Sequence, residues 1–162
     1  MPIKRNENLV QLSRDHHATL LSCWKIRTGL KLNIDTARIK AYVQYFWEVH
    51  IHPHFIEEET ILFVPVKDAA VQKALNEHAD ISKQVESIMA SPIVQPQQLA
   101  TLADTVDNHV RYEERELFPH LENILTEVQL KEIGSRLQAT AGTVCNDDFT
   151  DEFWKAGPQQ NN

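Results

Sequence analysis

The ten residues His54-Phe55-Ile56-Glu57-Glu58-Glu59-Thr60-Ile61-Leu62-Phe63 return 55 positions later as His109-Val110-Arg111-Tyr112-Glu113-Glu114-Arg115-Glu116-Leu117-Phe118. Both copies read His, three residues, Glu-Glu, two residues, Leu-Phe. Side chains four apart on a helix share one face, one turn apart. His54 with Glu58, and His109 with Glu113, therefore each stack an imidazole against a carboxylate. Such a couple holds one metal ion, or feeds two neighbouring ions if the carboxylate bridges. The Leu-Phe tail can bury its apolar surface beside that face. One His-Glu couple is what any solvated helix face throws up by chance. Two copies with the same tail are far more specific.

The rest of the chain narrows the classes. At 162 residues it suits one domain. Four glycines are too few for an all-β fold full of tight turns. A net charge of -7 argues against a nucleic-acid surface, which needs clustered Lys and Arg, and gives no reason to dock on anionic lipid. The start, MPIKRNENLV, lacks the apolar core of a signal peptide. No run of about 18 apolar residues exists to span a bilayer. Cys23 and Cys145 lie far apart in no metal or redox spacing, and read as free thiols in a reducing cytoplasm. Histidine is the unusual residue, with eight, at 16, 17, 50, 52, 54, 78, 109 and 120.

Residues 1 to 7 are polar and expected to fray. Leu9, Leu12, Leu20 and Trp24, with His16 in the gap, mark a helix from about Asn8 to Thr28, with Gly29 as its stop. His16 faces inward on this stripe. His17, about 100° round, is the alternative. Asn33 and Asp35 offer an N-cap for a second helix. Its stripe runs Ile39, Val43, Phe46 or Trp47, His50, His54 and Glu58. Pro53 inside it predicts a kink over Val49 to Pro53. His52 and Glu59 point outward. Glu57 competes with Glu58, but Tyr112 stands at its place in the second copy, so Glu58 and Glu113 are the shared positions.

A third helix is expected from about Asp68 to Met89, with His78 in the middle of its apolar face. A lone His there is often a satisfied core residue, and the two His-Glu couples make it a ligand candidate. After Ser91-Pro92 and Gln95-Pro96, a fourth helix runs from about Gln97 to Leu125 on the stripe Leu99, Leu102, Val106, His109, Glu113 and Leu117. Pro119 bends its end and His120 is expected outside. Thr126 to Gln129 resembles a capping box opening a short fifth helix to about Ala139. Residues 1–142 read as one domain and 143–162 as a tail. Its Phe149, Phe153 and Trp154 are expected to dock on the bundle or, in a homodimer, on a second subunit.

Four long amphipathic segments with short loops predict an all-α fold, an antiparallel up-down-up-down four-helix bundle with a short extra C-terminal helix. His16, His54, His78 and His109 then point inward, together with Glu58 and Glu113. Burying these groups unpaired would cost several kcal/mol, and coordination removes that cost. Four nitrogens and two bridging carboxylates make a ligand set for two first-row ions. No thiolate is among them, so iron is favoured over a closed structural zinc site, with manganese or zinc as alternatives.

Asp15-His16-His17, His54 to Glu58, Glu77-His78 and His109 to Glu113 together resemble the hemerythrin-like family, in particular its HHE cation-binding domains, over about residues 8 to 125. Ferritin-like di-iron bundles use Glu-x-x-His instead. The resemblance implies two non-haem iron ions, carboxylate- and oxo- or hydroxo-bridged, and an open position for O2 or NO. The chain departs from the oxygen carriers. Ser82 stands where their third helix has a second His, and Glu114 stands where they have an Asp. One more coordination position is thereby left open, or filled by water or His50. The expected function is binding or sensing of O2, NO or iron. The alternative is a di-iron redox enzyme that reduces NO or peroxide, or donates iron in repair. The remaining reading is a bundle whose histidines are merely packed.

Overall fold

The computed structural model describes residues 4–140 and 146–156. Among these residues all regular structure is helical. After a 3-10 turn at Glu7–Leu9 come α1 (Val10–Lys31), α2 (Thr36–Phe46), α3 (His52–Glu57), α4 (Ala69–Ala90), α5 (Pro96–Tyr112), α6 (Phe118–Ile124) and α7 (Glu127–Thr140). A π turn at Trp47–Ile51 joins α2 to α3, a second at Glu58–Leu62 follows α3, and a third at Glu113–Leu117 joins α5 to α6. Two long rods result, one from Thr36 to Leu62 and one from Pro96 to Ile124. None of the helices is long and apolar enough to cross a membrane.

The caps follow local chemistry. Asp35 accepts from the Ala37 N–H at 2.9 Å, and Asp68 from the Val71 N–H at 3.0 Å, each satisfying an orphan donor of the first turn. Pro96 opens α5, behind a Gln95/Gln98 capping box. Thr126 and Gln129 close the box expected of them, through bonds of 2.9 and 3.1 Å.

Several expectations change. Helix α1 runs past Gly29 to Lys31. A Cβ on Gly29 would stand 2.6 Å from the Phe153 ring, so this glycine makes room for a distant side chain and stops nothing. The turn falls to Asn33, whose φ of 55° is the left-handed conformation that Asn tolerates. The buried stripe of α1 is Leu12, His16, Thr19, Cys23 and Ile26, while Trp24 is 53% exposed. The start of the chain is not frayed at Arg5, whose side chain is 6% exposed. Pro53 does not interrupt the rod, which stays helical from Thr36 to Leu62. The preceding π turn gives the His52 N–H to the Trp47 carbonyl, five residues back, and absorbs the proline. The inserted residue also shifts the phase, so Ile51 turns inward and His50 is half-buried at the side.

The core has two apolar parts. One holds Cys23, Ile26, Val43, Phe46, Ile51, Ile81, Val85, Leu102 and Val106 among others. The second holds Leu9, Leu12, Leu62, Phe63, Val71, Ala74, Leu117, Phe118 and Leu121, and is covered by Leu130, Ile133 and Leu137 of α7. The tail docks on the chain itself. Phe153 is fully buried in the first part, Asp147 takes 2.7 and 2.6 Å bonds from Lys25 and the Tyr42 hydroxyl, and Asp151 pairs with Arg38. Cys145 and the expected boundary at 142 lie outside the described residues.

Candidate metal centre

The two apolar parts are separated by a polar layer. On α1 the first part follows His16 and the second precedes it, and α4 does the same about His78. His16, His54, Glu58, His78, His109 and Glu113 are all at most 5% exposed. They form two groups, His16/His54/Glu58/Glu113 and Glu58/His78/His109/Glu113, whose ligand atoms lie within 4.8 Å of one another. Neither group includes His17, His50 or Glu57. His17 and His52 are exposed. The His50 Nε2 lies 3.3 Å from the Tyr45 hydroxyl, and Glu57 meets Thr140. His120 bonds Asp68 at 2.7 Å, away from the layer.

Both groups share both carboxylates, and each carboxylate turns one oxygen to each group. Glu58 Oε1 lies 2.9 Å from His54 Nε2 and 3.4 Å from His16 Nε2, while Oε2 lies 3.2 Å from His78 Nε2. Glu113 Oε2 lies 2.9 Å from His16 Nε2, while Oε1 lies 3.1 Å from His109 Nε2 and 3.4 Å from His78 Nε2. Close as they are, these contacts lack hydrogen-bond geometry. Both oxygens of Glu58, both of Glu113, and Nε2 of His78 and of His109 are buried without a hydrogen-bond partner. A buried polar atom left so costs about 1–3 kcal/mol, and more when charged. Six such atoms meet at one place, and all are ligand types suited to a first-row cation.

The outer ring nitrogens explain the aim of the inner ones. Each Nδ1 meets a carboxylate: His16 with Glu114 at 2.7 Å, His54 with Asp15 at 3.1 Å, His78 with Glu59 at 2.8 Å, and His109 with Glu77 at 3.0 Å. With Nδ1–H given outward, the Nε2 lone pair faces in. These four acids form a closed ring. Helix α1 supplies the acid for the rod bearing His54, that rod for α4, α4 for the rod bearing His109, and that rod for α1. Sequence reasoning put Glu59 on the outside and gave Asp15, Glu77 and Glu114 no such task. A signal was present, since each stands directly beside a site residue in the chain. One step along a helix rotates the side chain by about 100°, so the neighbour of an inward-facing residue is turned toward the adjoining helix.

The twin motif accounts for two further contacts. The Phe63 N–H bonds the Glu58 carbonyl and the Phe118 N–H the Glu113 carbonyl, each five residues back. Both copies therefore insert a π turn that begins on the shared carboxylate residue. Phe118 then stacks on His16 with centroids 5.1 Å apart, and Phe63 faces His78 at 6.0 Å.

The electrostatics favour positive charge at the centre of the layer. Burial is the strongest influence on each His and favours the neutral ring, but the carboxylates outweigh it. Glu113, Glu114 and Glu58 hold His16 well above its ordinary value. Glu58 and Asp15 push His54 up to about 9. Glu113 and Glu58 push His78 up to about 10, and Glu113 with Glu77 raises His109. Burial likewise works against ionised Glu58 and Glu113, yet the imidazoles bring Glu58 down to about 2 and Glu113 well below the usual carboxylate range. Protons on the rings or metal cations between them would satisfy the same field.

A family model, the hemerythrin HHE cation-binding domain, matches residues 8–121. The chain belongs to the hemerythrin HHE family. All six buried ligand candidates and the four outer acids lie inside the matched span of this HHE domain, whereas Arg5 and the docked tail lie outside it. Comparison with curated proteins and with solved structures gives no match.

Proposed function

We propose that this HHE protein holds two iron ions in an antiparallel up-down-up-down four-helix bundle and uses them to bind or sense O2 or NO. The observation that carries the reading is the pair of shared carboxylates, each offering one oxygen to each histidine pair. His16 and His54 would hold one ion, His78 and His109 the other, with Glu58 and Glu113 bridging. Imidazole nitrogen and carboxylate oxygen without thiolate favour iron, with manganese or zinc as the alternatives. Each ion would receive four protein donors, so an iron of higher coordination number keeps room for a small ligand. The bound ions would supply that open position and one-electron redox steps.

The chain's own residues do the rest. The outer acids fix the rings, Phe55 lies flat on His78 at 3.7 Å, and Phe118 covers His16. Bulk water is kept from the layer, since all six candidates are buried. The alternating direction of the rods is supported by the apolar core. On α1 and α4 its first part lies after the histidine, and on the rods bearing His54 and His109 it lies chiefly before.

His54→Ala and His109→Ala test the assignment. Each should lower metal content and thermal stability together, and acid should release the metal, because the ligands bind deprotonated. Stopped-flow spectra of the ferrous protein with O2 and with NO should show a new absorption band. Unchanged metal content in both variants would overturn the site, and the absence of any band would overturn the gas-binding reading.

A further inference from the structure

The tail, over residues 146–156, fastens two helices to each other. Among the described residues, its hydrogen bonds, ion pairs and ring contacts with the helices fall on α1 and α2. On α1, the Lys25 ammonium donates to Asp147 at 2.7 Å and lies 4.3 Å from the Trp154 ring centroid. On α2, the Tyr42 hydroxyl donates to the same Asp147 at 2.6 Å, the Tyr45 hydroxyl donates to Asp148 at 2.6 Å, and Arg38 pairs with Asp151. One carboxylate thus joins both helices. Phe153, fully buried, sets its ring in the notch left by Gly29 on α1 and meets the Tyr42 ring of α2 edge-on at 5.7 Å.

The two fastened helices carry one histidine pair. His16 is on α1, and His54 is on the rod that α2 opens. Lys25 stands nine residues after His16, and Tyr45 nine before His54. Nine residues of helix rise about 13.5 Å, so the tail grips both helices at the same height from the His/Glu layer. Contact continues from there toward the layer. The Tyr45 hydroxyl lies 3.3 Å from His50 Nε2, and His50 stands one turn before His54. The inner nitrogens of the pair, His16 Nε2 and His54 Nε2, are 3.0 Å apart across the same helix boundary. A close-packed interior transmits strain, so the spacing of the helices acts on that distance. His78 and His109 stand on α4 and α5. The tail also lies outside the family match, and is an addition to the matched domain.

We propose that the tail is a strap that sets the spacing of α1 against the rod bearing His54, and so positions His16 and His54 but not His78 and His109. Phe153 and Asp147 are its positioning residues. The consequence for ions rests on the reading of the layer as a paired metal centre. Strap docking and ion occupancy at His16/His54 then favour each other, by the same factor in both directions.

The test uses the full chain loaded with cobalt(II), whose unpaired electrons shift the ring signals of each bound His. Competition with a chelator reads the affinity at each pair. In Phe153→Ala the affinity at His16/His54 should fall about 5-fold or more, and that at His78/His109 should change far less. Asp147→Asn should show the same preference, and decides the matter if Phe153→Ala does not fold. Ile88→Ala, which truncates a buried side chain of α4, should show no preference for the His16/His54 pair. Bound zinc should in turn slow hydrogen exchange of the Phe153 and Lys155 amides about 5-fold or more. Equal loss at both pairs, the same preference in Ile88→Ala, or tail amides indifferent to bound zinc overturns the proposal. A chain that takes up neither ion overturns the proposed function alone. The ring signals of the metal-free chain then decide the strap, since Phe153→Ala should move those of His16 and His54 and leave those of His78 and His109 in place. Movement of all four alike, or of none, overturns it.

Discussion

The two copies of the repeated motif do the same work with different support. Each contributes a His, a shared Glu, an acid for a histidine of a neighbouring rod, and a Phe for that histidine's ring. In the first copy the acid is Glu59, which is 42% exposed and reaches His78 alone. In the second it is Glu114, which also accepts from the Ser13 hydroxyl at 2.8 Å and from Arg5 at 2.9 Å. Arg5 further bonds the Glu114 carbonyl and Glu122, and lies 5.3 Å from the Phe118 ring centroid. On the ring side the order reverses. Phe55 stacks flat on His78, while Val110 occupies its place in the second copy. The comparison teaches that one His is steered through a buried ion-pair network and the other by aromatic stacking, though the His/Glu geometry is alike. Only the first kind of support comes from outside the family match.

The largest effect should come where the copies are equivalent. Glu58→Ala and Glu113→Ala each remove a group shared by both histidine pairs. Metal content should fall by at least half in either, and the stabilisation from bound metal should go with it. That term is about 4 kcal/mol when free metal is a thousand times Kd. Calorimetry with and without chelator reads it. A variant that keeps two ions would show that the carboxylate is not shared.

Next come the aromatic supports. Phe55→Ala and Phe118→Ala should each cost about 3–5 kcal/mol in chemical denaturation. Phe55→Ala should disturb chiefly the His78 resonances, and Phe118→Ala those of His16. Equal disturbance of both rings by both variants would erase the distinction between the copies.

The outer acids sharpen it. Glu59→Gln and Glu114→Gln should each weaken metal binding by about 10–100-fold. Only Glu114→Gln also removes one of the two carboxylates paired with the buried Arg5, so it should lower the metal-free stability as well. Glu59→Gln, at an exposed site, should leave the metal-free stability nearly unchanged. Matching stability losses would refute the asymmetry.

The smallest effect concerns the tail. Burial works against ionised Asp147, but Lys25 and the Tyr42 hydroxyl outweigh it and hold its pKa below 3.8. A depressed folded pKa means that its contribution is complete above about 3.8 and fades as pH falls through the folded value. The Trp154 indole signal should therefore report undocking only in that acid window, and Asp147→Asn should abolish the pH step. A step centred above pH 5 would point to another group.

Much of this was legible because it depends on a period. His16, His54, Glu58, His78, His109 and Glu113 all fall on helical stripes, and one rotation angle puts them inside. Asp35, Pro96 and the Thr126/Gln129 box announce helix ends by local chemistry. What stayed hidden depends on contacts between segments distant in sequence. Gly29 resembles a stop until Phe153 is seen against it. Arg5 resembles a frayed residue until Glu114 and Glu122 reach it. The π turns are hidden for another reason. They add one residue without changing composition, so a strict period of 3.6 carries His50 inward and leaves Ile51 out. The four outer acids adjoin the buried residues in the chain, but a helix read alone shows no neighbour for them to serve.

The most direct check is the metal-to-chain ratio of the protein purified and then reconstituted with ferrous iron under nitrogen. Two ions per chain, falling together when Glu58 is replaced, is the expected result. A full-length folded chain that takes up none, or a single ion indifferent to Glu58, would show that the buried His/Glu layer is not a paired metal centre.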